Sequence, residues 1–242
     1  MSAPAITLSI VSHGQNDLVN PLLGDLREHC AGRIALVLTQ NIADSARLDV
    51  ASWSGPVEVV ANNAPKGFGA NHNAAFRLCR TPCFCVCNPD IRLPADPFGA
   101  LLSALKEGRA GVVGPLVRTP GGMVEDSARR FPTVASLAGK LLGSRAGPEY
   151  PHDAGPIEVD WIAGMFMLFD AAAYRELRGF DEAYFLYYED VDICRRLRSA
   201  GKTVVYDPRA EVVHDARRAS RRNPRLALHH AASMLRFLSR DG

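Results

Sequence analysis

Through roughly its first 115 residues the chain alternates short apolar runs with longer segments of mixed, helix-like character. Residues 5–12 (AITLSIVS), 33–39 (RIALVLT), 57–61, 82–87 and 110–114 read as buried strands. Residues 17–30, 67–80 and 96–107 read as the helices between them. Strands rich in Val, Ile and Leu without polar alternation, separated by helices, predict an α/β fold whose mostly parallel central sheet carries helices on both faces. In such sheets ligands collect beyond the C-terminal strand ends, so the residues that follow each strand are the candidates for chemistry.

Beyond residue 115 the pattern loosens. Residues 118–155 are rich in Gly, Pro and Arg and predict loops around a short helix at 134–142. Residues 159–169 predict one long strand, and 189–200 a helix closed by Gly201 at a C-cap position. Residues 203–206 and 211–214 predict two short strands, and 224–238 a last helix. With no internal repeat and no low-complexity linker, the expectation is a single domain over 1–242, with one functional half at 1–115 and another at 116–242.

Composition narrows the class. Hydrophobic residues make up 47% of the chain and charged residues 22%, which excludes a disordered chain, a collagen and a coiled coil. The longest strongly apolar stretch, 161–169, is nine residues, against the ~20 that a membrane-spanning helix needs. The N-terminus lacks the basic segment of an export signal, and the six cysteines read as reduced thiols, so a cytoplasmic location is expected. Charge is nearly balanced except for Arg217, Arg218, Arg221, Arg222 and Arg225, five arginines in nine residues. These read as a solvated helix end or as a patch for an anionic partner, either a membrane surface or a diphosphate. Without interleaved aromatics they do not read as a nucleic-acid site.

Three segments could carry chemistry. Asn88, Pro89 and Asp90 follow a strand that Pro89 cannot continue, which brings Asp90 to the ligand edge; alone, the tripeptide is an ordinary turn. In residues 180–192 (FDEAYFLYYEDVD), Glu189, Asp190 and Asp192 fall in the first turn of a helix, where carboxylates complement the macrodipole. Tyr184, Phe185, Tyr187 and Tyr188 pack just upstream, and an apolar wall raises a carboxyl pKa toward the range of a general base. His214 closes a short strand, where a structural histidine is the plainer alternative.

Taken in order, SIVS at 9–12, NNAPKGFGANHN at 62–73, NPD at 88–90, WIAG at 161–164, GFDEAYFLYYEDVD at 179–192, and His214 followed by Ser220 resemble the family 2 glycosyltransferases of the GT-A fold. Within them the closest resemblance is to the bacterial rhamnosyltransferase-like branch, over nearly the whole chain. The resemblance implies transfer of a sugar, with rhamnose the candidate, from a nucleotide-diphosphate donor (dTDP- or UDP-linked) with inversion at the anomeric carbon. The acceptor it implies is a glycan or a lipid-linked sugar in cell-envelope polysaccharide assembly.

By the same resemblance Asp90 binds Mg²⁺ or Mn²⁺, His214 joins the metal or the diphosphate, and Asp190 is the catalytic base with Glu189 beside it. Donor contacts are implied at Ser12, Gln40, Asn41, Asn63, Gly69, Asn73 and Asn88, and acceptor contacts at Trp161, Gly164 and Arg130. Asn88 stands where the family's Asp-x-Asp metal motif has its first aspartate. Gln40 stands where an Asp-Asn pair is usual, and this keeps open a catalytically silent nucleotide-sugar-binding protein of the same fold. Leu226, Leu228, Leu235, Phe237 and Leu238 in the last helix predict packing on the domain. Peripheral contact with the inner face of the membrane through the basic segment is the functional alternative.

Other readings fail on the residues. Gly67 and Gly69 lack the third glycine of a dinucleotide fingerprint, where His72 stands. Cys83, Cys85 and Cys87 alternate along one strand face and cannot surround a zinc ion, so they read as small core residues. A nucleotidyltransferase needs a glycine-rich loop directly after the first strand, which residues 12–16 (SHGQN) do not supply.

Overall fold

A computed structural model describes residues 3–133, 149–215 and 224–239. Nine strands form one sheet, in which β1 (Ile6–His13), β2 (Ile34–Ile42), β3 (Val57–Ala61) and β4 (Cys83–Cys87) run parallel in the order β3-β2-β1-β4. Every residue of β4 is buried, as are seven of the eight in β1. This continuous burial is why their sequences are apolar throughout. The sheet is completed by β5 (Ile91–Arg92), β6 (Ala110–Arg118), β8 (Ile157–Glu158), β10 (Phe166–Asp170) and β11 (Thr203–His214). A separate pair joins β7 (Ala128–Arg129) to β9 (Trp161–Ile162).

The sheet divides the core in two. On one face α1 (Asn16–His29) and α3 (Phe98–Lys106) lay Leu22, Leu26, Phe98 and Leu101 against Leu8, Cys85 and Leu168. On the other, α2 (Phe68–Phe76), α4 (Ala171–Glu176) and α5 (Glu189–Ser199) cover Phe84, Val86 and Phe169. Cys83, Cys85 and Cys87 point into the first of these layers as free, buried thiols, and burial pushes Cys85 and Cys87 well above the usual thiol range.

Two of the strand expectations need correction. Residues 159–169 are not one strand: a turn at 163–165 separates β9 from β10. Hydropathy is continuous there, but the Gly164 N–H is drawn to the Asp190 carboxylate and the two pieces pair with different strands. Conversely, 203–206 and 211–214 belong to a single strand, β11, whose register slips between Asp207 and Glu211. Asp207 is fully buried there and paired with Arg209, a polar interruption that reads as a loop in sequence. Helix α4 follows β10 directly and is capped by Asp170, which accepts the Ala173 N–H at 2.8 Å. The helix expected at 134–142 and the arginines from 217 to 222 lie outside the described residues.

The central strand β10 runs antiparallel to both β4 and β6. Its beginning therefore meets the sheet edge at which β1, β2 and β4 end, and the Asn88 N–H donates to the Met165 carbonyl at 2.9 Å across that edge. One edge thus gathers residues from both halves of the chain.

Candidate active site

Two clefts open on that edge. The first has a volume of about 590 Å³ and is lined by His13 at the end of β1, Lys66, Gly67 and Phe68 at the start of α2, Asn88 and Asp90 beyond β4, and Tyr187. Behind its lining, asparagines hold the loop that forms one wall. Register slips at the ends of β1 and β2, where His13 pairs with Ile42 and leaves Asn41 as the extra residue. The buried Asn41 accepts hydrogen bonds from the Asn62 side chain and the Lys66 N–H, both at 2.8 Å, and donates to the Lys66 carbonyl at 2.9 Å. Asn62 donates onward to Asn71, which donates to the Gly67 carbonyl at 2.9 Å. The loop before α2 is thereby fixed to the sheet edge. Beneath it His72 Nδ1 lies 2.8 Å from Ser9 Oγ, and burial, reinforced by His13, pushes the imidazole down to about 3. His13 is also lowered, by burial. The floor of this cleft is neutral at physiological pH.

Charge enters at its far side. Asp90 Oδ2 is 3.3 Å from His214 Nε2, and His214 Nδ1 is 2.8 Å from Glu125 Oε2. Burial alone would lower His214, but the two carboxylates outweigh it and raise the imidazole to about 9. Asp90 Oδ1 is buried and has no hydrogen-bond partner among the described residues. A desolvated carboxylate oxygen without a donor is costly, and a divalent cation would satisfy it. Mg²⁺ and Mn²⁺ are often held by one or two carboxylates together with substrate phosphate oxygens, and an imidazole suits Mn²⁺ better. Among the described residues no three His, Cys, Asp or Glu side chains form a metal cage. Asp90 and His214 fit an ion that substrate oxygens complete.

The second cleft, about 840 Å³, is lined by Arg129, Arg130 and Trp161 on one side and by Tyr187, Tyr188, Glu189 and Asp190 on the other. Tyr187 belongs to both clefts and forms the wall between them. Tyr187 and Tyr188 take φ of +70° and +66°, a left-handed conformation that costs such residues about 1–3 kcal/mol. Their surroundings hold them there. The Phe185 carbonyl accepts the Phe68 N–H at 2.9 Å. The last helix, α6 (Pro224–Ser239), supplies the Ser233 hydroxyl to the Leu186 carbonyl at 2.9 Å and the His230 ring against both tyrosines.

That turn delivers two neighbouring carboxyls in unlike settings. Burial raises Asp190, but the N–H groups of Gly164 and Val191, each at 2.9 Å, and the charge of Arg129 oppose the rise. Glu189 is 5% exposed, its Oε2 has no partner among the described residues, and burial and the Asp190 charge push it well above the ordinary carboxyl range. Of the two, Glu189 is pushed further toward its protonated form, while the hydrogen bonds on Asp190 favour its carboxylate. Trp161 donates from Nε1 to the Arg130 carbonyl at 2.9 Å, and the Arg129 guanidinium lies 5.3 Å from the Trp161 ring centre.

The residues singled out in sequence fall into two groups. Asn88 and Asp90 line the first cleft, with His214 against Asp90, and Trp161, Arg130, Glu189 and Asp190 line the second, with the Gly164 N–H on Asp190. Ser12, Gln40, Asn41, Asn63, Gly69 and Asn73 do not line either cleft, and Asn41 acts from behind the first. Ser12 bonds to Asn16, Asn63 is exposed, and Gly69 packs where a Cβ would come within 2.7 Å of Phe180 Cβ. Asn73 holds the turn at Phe180 from the opposite side of α2, accepting its N–H at 2.9 Å. Sequence reasoning overlooked His13, Lys66, His72 and Glu125. His13 follows the same strand-end rule as Asp90 and was within reach of it. Glu125 meets His214 across 89 residues, which no local signal announces.

The fold is that of the GT-A glycosyltransferases. Solved structures share it: GalNAc-T7 with UDP, GalNAc and Mn²⁺ (TM-score 0.70, 13% identity, 89% of this chain and 44% of that one), and the mannosyltransferase PcManGT from Pyrobaculum calidifontis in complex with GDP-Man and Mn²⁺ (TM-score 0.65, 16% identity, 100% and 66%). The family model "Glycosyltransferase like family 2" matches residues 28–229, and the chain belongs to that family. Among its relatives, the N-acetylglucosaminyl-diphospho-decaprenol L-rhamnosyltransferase of Mycobacterium tuberculosis (strain CDC 1551 / Oshkosh) is 38% identical over 165 residues, 62% of this chain and 53% of the relative. The chain thus spans about half the length of that relative. The rhamnosyltransferase WbbL of Escherichia coli (strain K12) is 29% identical over 255 residues, 97% of this chain and 93% of WbbL. These relatives set the chain in a rhamnosyltransferase-like branch of the family.

Proposed function

We propose that the chain is an inverting glycosyltransferase. The first cleft takes a nucleotide-diphosphate sugar, dTDP- or UDP-linked, with rhamnose as the sugar its relatives favour. The second takes the acceptor, a glycan or a lipid-linked sugar. In this reading residues 1–115 build the donor half, residues 116–242 the acceptor and catalytic half, and Tyr187 stands where the two substrates meet. Work on a lipid-linked acceptor agrees with a cytoplasmic protein that touches the inner membrane face through its basic C-terminal segment. No described helix is long and apolar enough to cross a membrane.

Asp190 takes the proton from the acceptor hydroxyl as its oxygen attacks the anomeric carbon and the bond to the diphosphate breaks. Two backbone N–H groups fix the carboxylate's orientation, and the buried neighbour Glu189, neutral, adds no second negative charge against the attacking oxygen. Asp90 and His214 would hold Mg²⁺ or Mn²⁺, which when bound supplies neutralisation of the charge growing on the leaving diphosphate. Arg130 and Trp161 form the opposite wall of the acceptor cleft and orient the incoming sugar.

The observation that carries this reading is the setting of Asp190, a carboxyl held by two backbone N–H groups on the wall of a cleft adjoining a second cleft that holds an unsatisfied Asp90 oxygen. Gln40 favours the silent-binder alternative, but its side chain does not line the donor cleft. Incubation with dTDP-rhamnose or UDP-sugars, with and without Mn²⁺, separates the two. Slow donor hydrolysis by the wild type, lost in Asp190→Asn, supports the enzyme. Nucleotide binding without any turnover supports the silent binder.

A further inference from the structure

Glu125 belongs to none of the motifs that mark the family and lines neither cleft. It sits on the hairpin that returns from β6, fixed by its N–H to the Val117 carbonyl at 2.8 Å and by its carbonyl, which accepts the Ser127 N–H at 2.9 Å. Arg118 steadies the same hairpin by donating to the Gly122 carbonyl at 3.0 Å and pairing with Glu211 of β11 at 2.8 Å. Because β11 pairs with β6 up to Val213 opposite Arg118, the hairpin lies beside the last residue of β11, His214.

We infer that Glu125 is a positioning residue for His214: it accepts the Nδ1 hydrogen bond, fixes the ring's plane, and so keeps Nε2 turned toward Asp90 and its unpartnered Oδ1. This deepens the reading of Asp90 as the divalent-ion site and rests on it. The distances assign the roles. The Glu125 contact, at 2.8 Å, is tighter than the 3.3 Å contact to Asp90, so the ring is held from behind. Glu125 acts on the ring nitrogen remote from Asp90 and is not itself a ligand, in keeping with the lack of a three-residue cage among the described residues. A carboxylate behind a metal-binding imidazole orients it and raises its basicity. Among the described residues the ring without Glu125 has only Asp90 to bond to, and it would occupy the carboxylate that the ion needs.

The test is Mn²⁺ affinity of the full chain, read calorimetrically and by the spin resonance of free Mn²⁺, with saturating UDP in one arm and dTDP in another. Glu125→Ala is expected to weaken Mn²⁺ binding by about 10- to 100-fold, the range for lost supporting partners of metal ligands. Glu125→Gln, which keeps an acceptor oxygen, is expected to recover most of it, and Glu125→Ala with His214→Ala to be no weaker than His214→Ala alone. Thermal melting of each variant separates lost binding from lost folding, and the isosteric Gln variant carries the test if the Ala variant unfolds. Asp90→Ala abolishing binding while Glu125→Ala leaves the Kd within twofold, or additive losses in the double variant, would overturn the role of Glu125 alone. Mn²⁺ binding that survives Asp90→Ala, or none in the wild type in either arm, would overturn the ion site and this inference together.

Discussion

The two carboxylates at the sheet edge are built by opposite means. Asp90 lies at the end of a chain of charged side chains, Asp90–His214–Glu125, and keeps one buried oxygen unsatisfied. Asp190 is held by backbone, with both oxygens on N–H groups and, as neighbour, a glutamate that burial pushes toward its protonated form. A site that must accept a cation leaves a lone pair open, whereas a base must be oriented without being neutralised. The difference separates a group built to bind from a group built to react, and each half of it can be broken on its own.

The largest effect is expected at the base. Asp190→Asn keeps the shape and both backbone hydrogen-bonding partners close by, yet should lower kcat by about 10²- to 10⁴-fold, the usual worth of a general base. Nucleotide affinity should not move. A matching fall in affinity, read by calorimetry, would mean that the two carboxylates are one site.

Next comes the neutral floor of the donor cleft. The His72 pKa is depressed in the folded chain, so its contribution to stability is complete above about 6.5 and is lost as pH falls toward about 3. The predicted slope is up to ~1.4 kcal/mol of unfolding free energy per pH unit, or roughly 2 kcal/mol between pH 6.5 and 5. Urea denaturation at pH 7, 6 and 5 would show it, and His72→Gln should flatten this part of the profile. An equal slope in the variant would assign the loss to other groups.

Gly67→Ala strikes the junction between the clefts. A Cβ there would stand 2.6 Å from the Phe185 carbonyl oxygen, and relieving that clash is expected to cost about 1–3 kcal/mol. Because the same turn presents Tyr187 to both clefts, nucleotide affinity and kcat should fall together in the variant. The smallest effect is expected from Glu189→Gln, which puts a neutral isostere where burial already pushes the carboxyl toward its protonated form. Activity within a few-fold of wild type, and little change in the acid limb of the pH–rate profile, are the expected outcome. A loss as deep as that of Asp190→Asn would exchange the roles of the two residues.

Legibility from sequence follows the same division. The parallel strands were readable because burial on both faces makes them apolar throughout, and Asp90 was readable because it follows one of them. The antiparallel β10 was not, because nothing in the apolar run 159–169 shows that Gly164 bends away to meet Asp190, 26 residues later. The aromatic cluster at 184–188 announced a special turn, but the left-handed backbone at Tyr187 and Tyr188 depends on α2 and α6, which are remote in sequence. The asparagines implied as donor contacts stood in sequence as one set. Only the packing separates Asn41, which anchors the cleft wall, from Asn73, which braces the opposite side of α2.

The most direct test of the donor site is calorimetric titration of UDP, dTDP and GDP into the wild type, Asp90→Ala and Asp190→Asn, each with and without Mn²⁺. Mn²⁺-dependent binding of one nucleotide by the wild type and Asp190→Asn, lost in Asp90→Ala, is the predicted result. Binding of no nucleotide under either condition, or equal binding by Asp90→Ala, would contradict it.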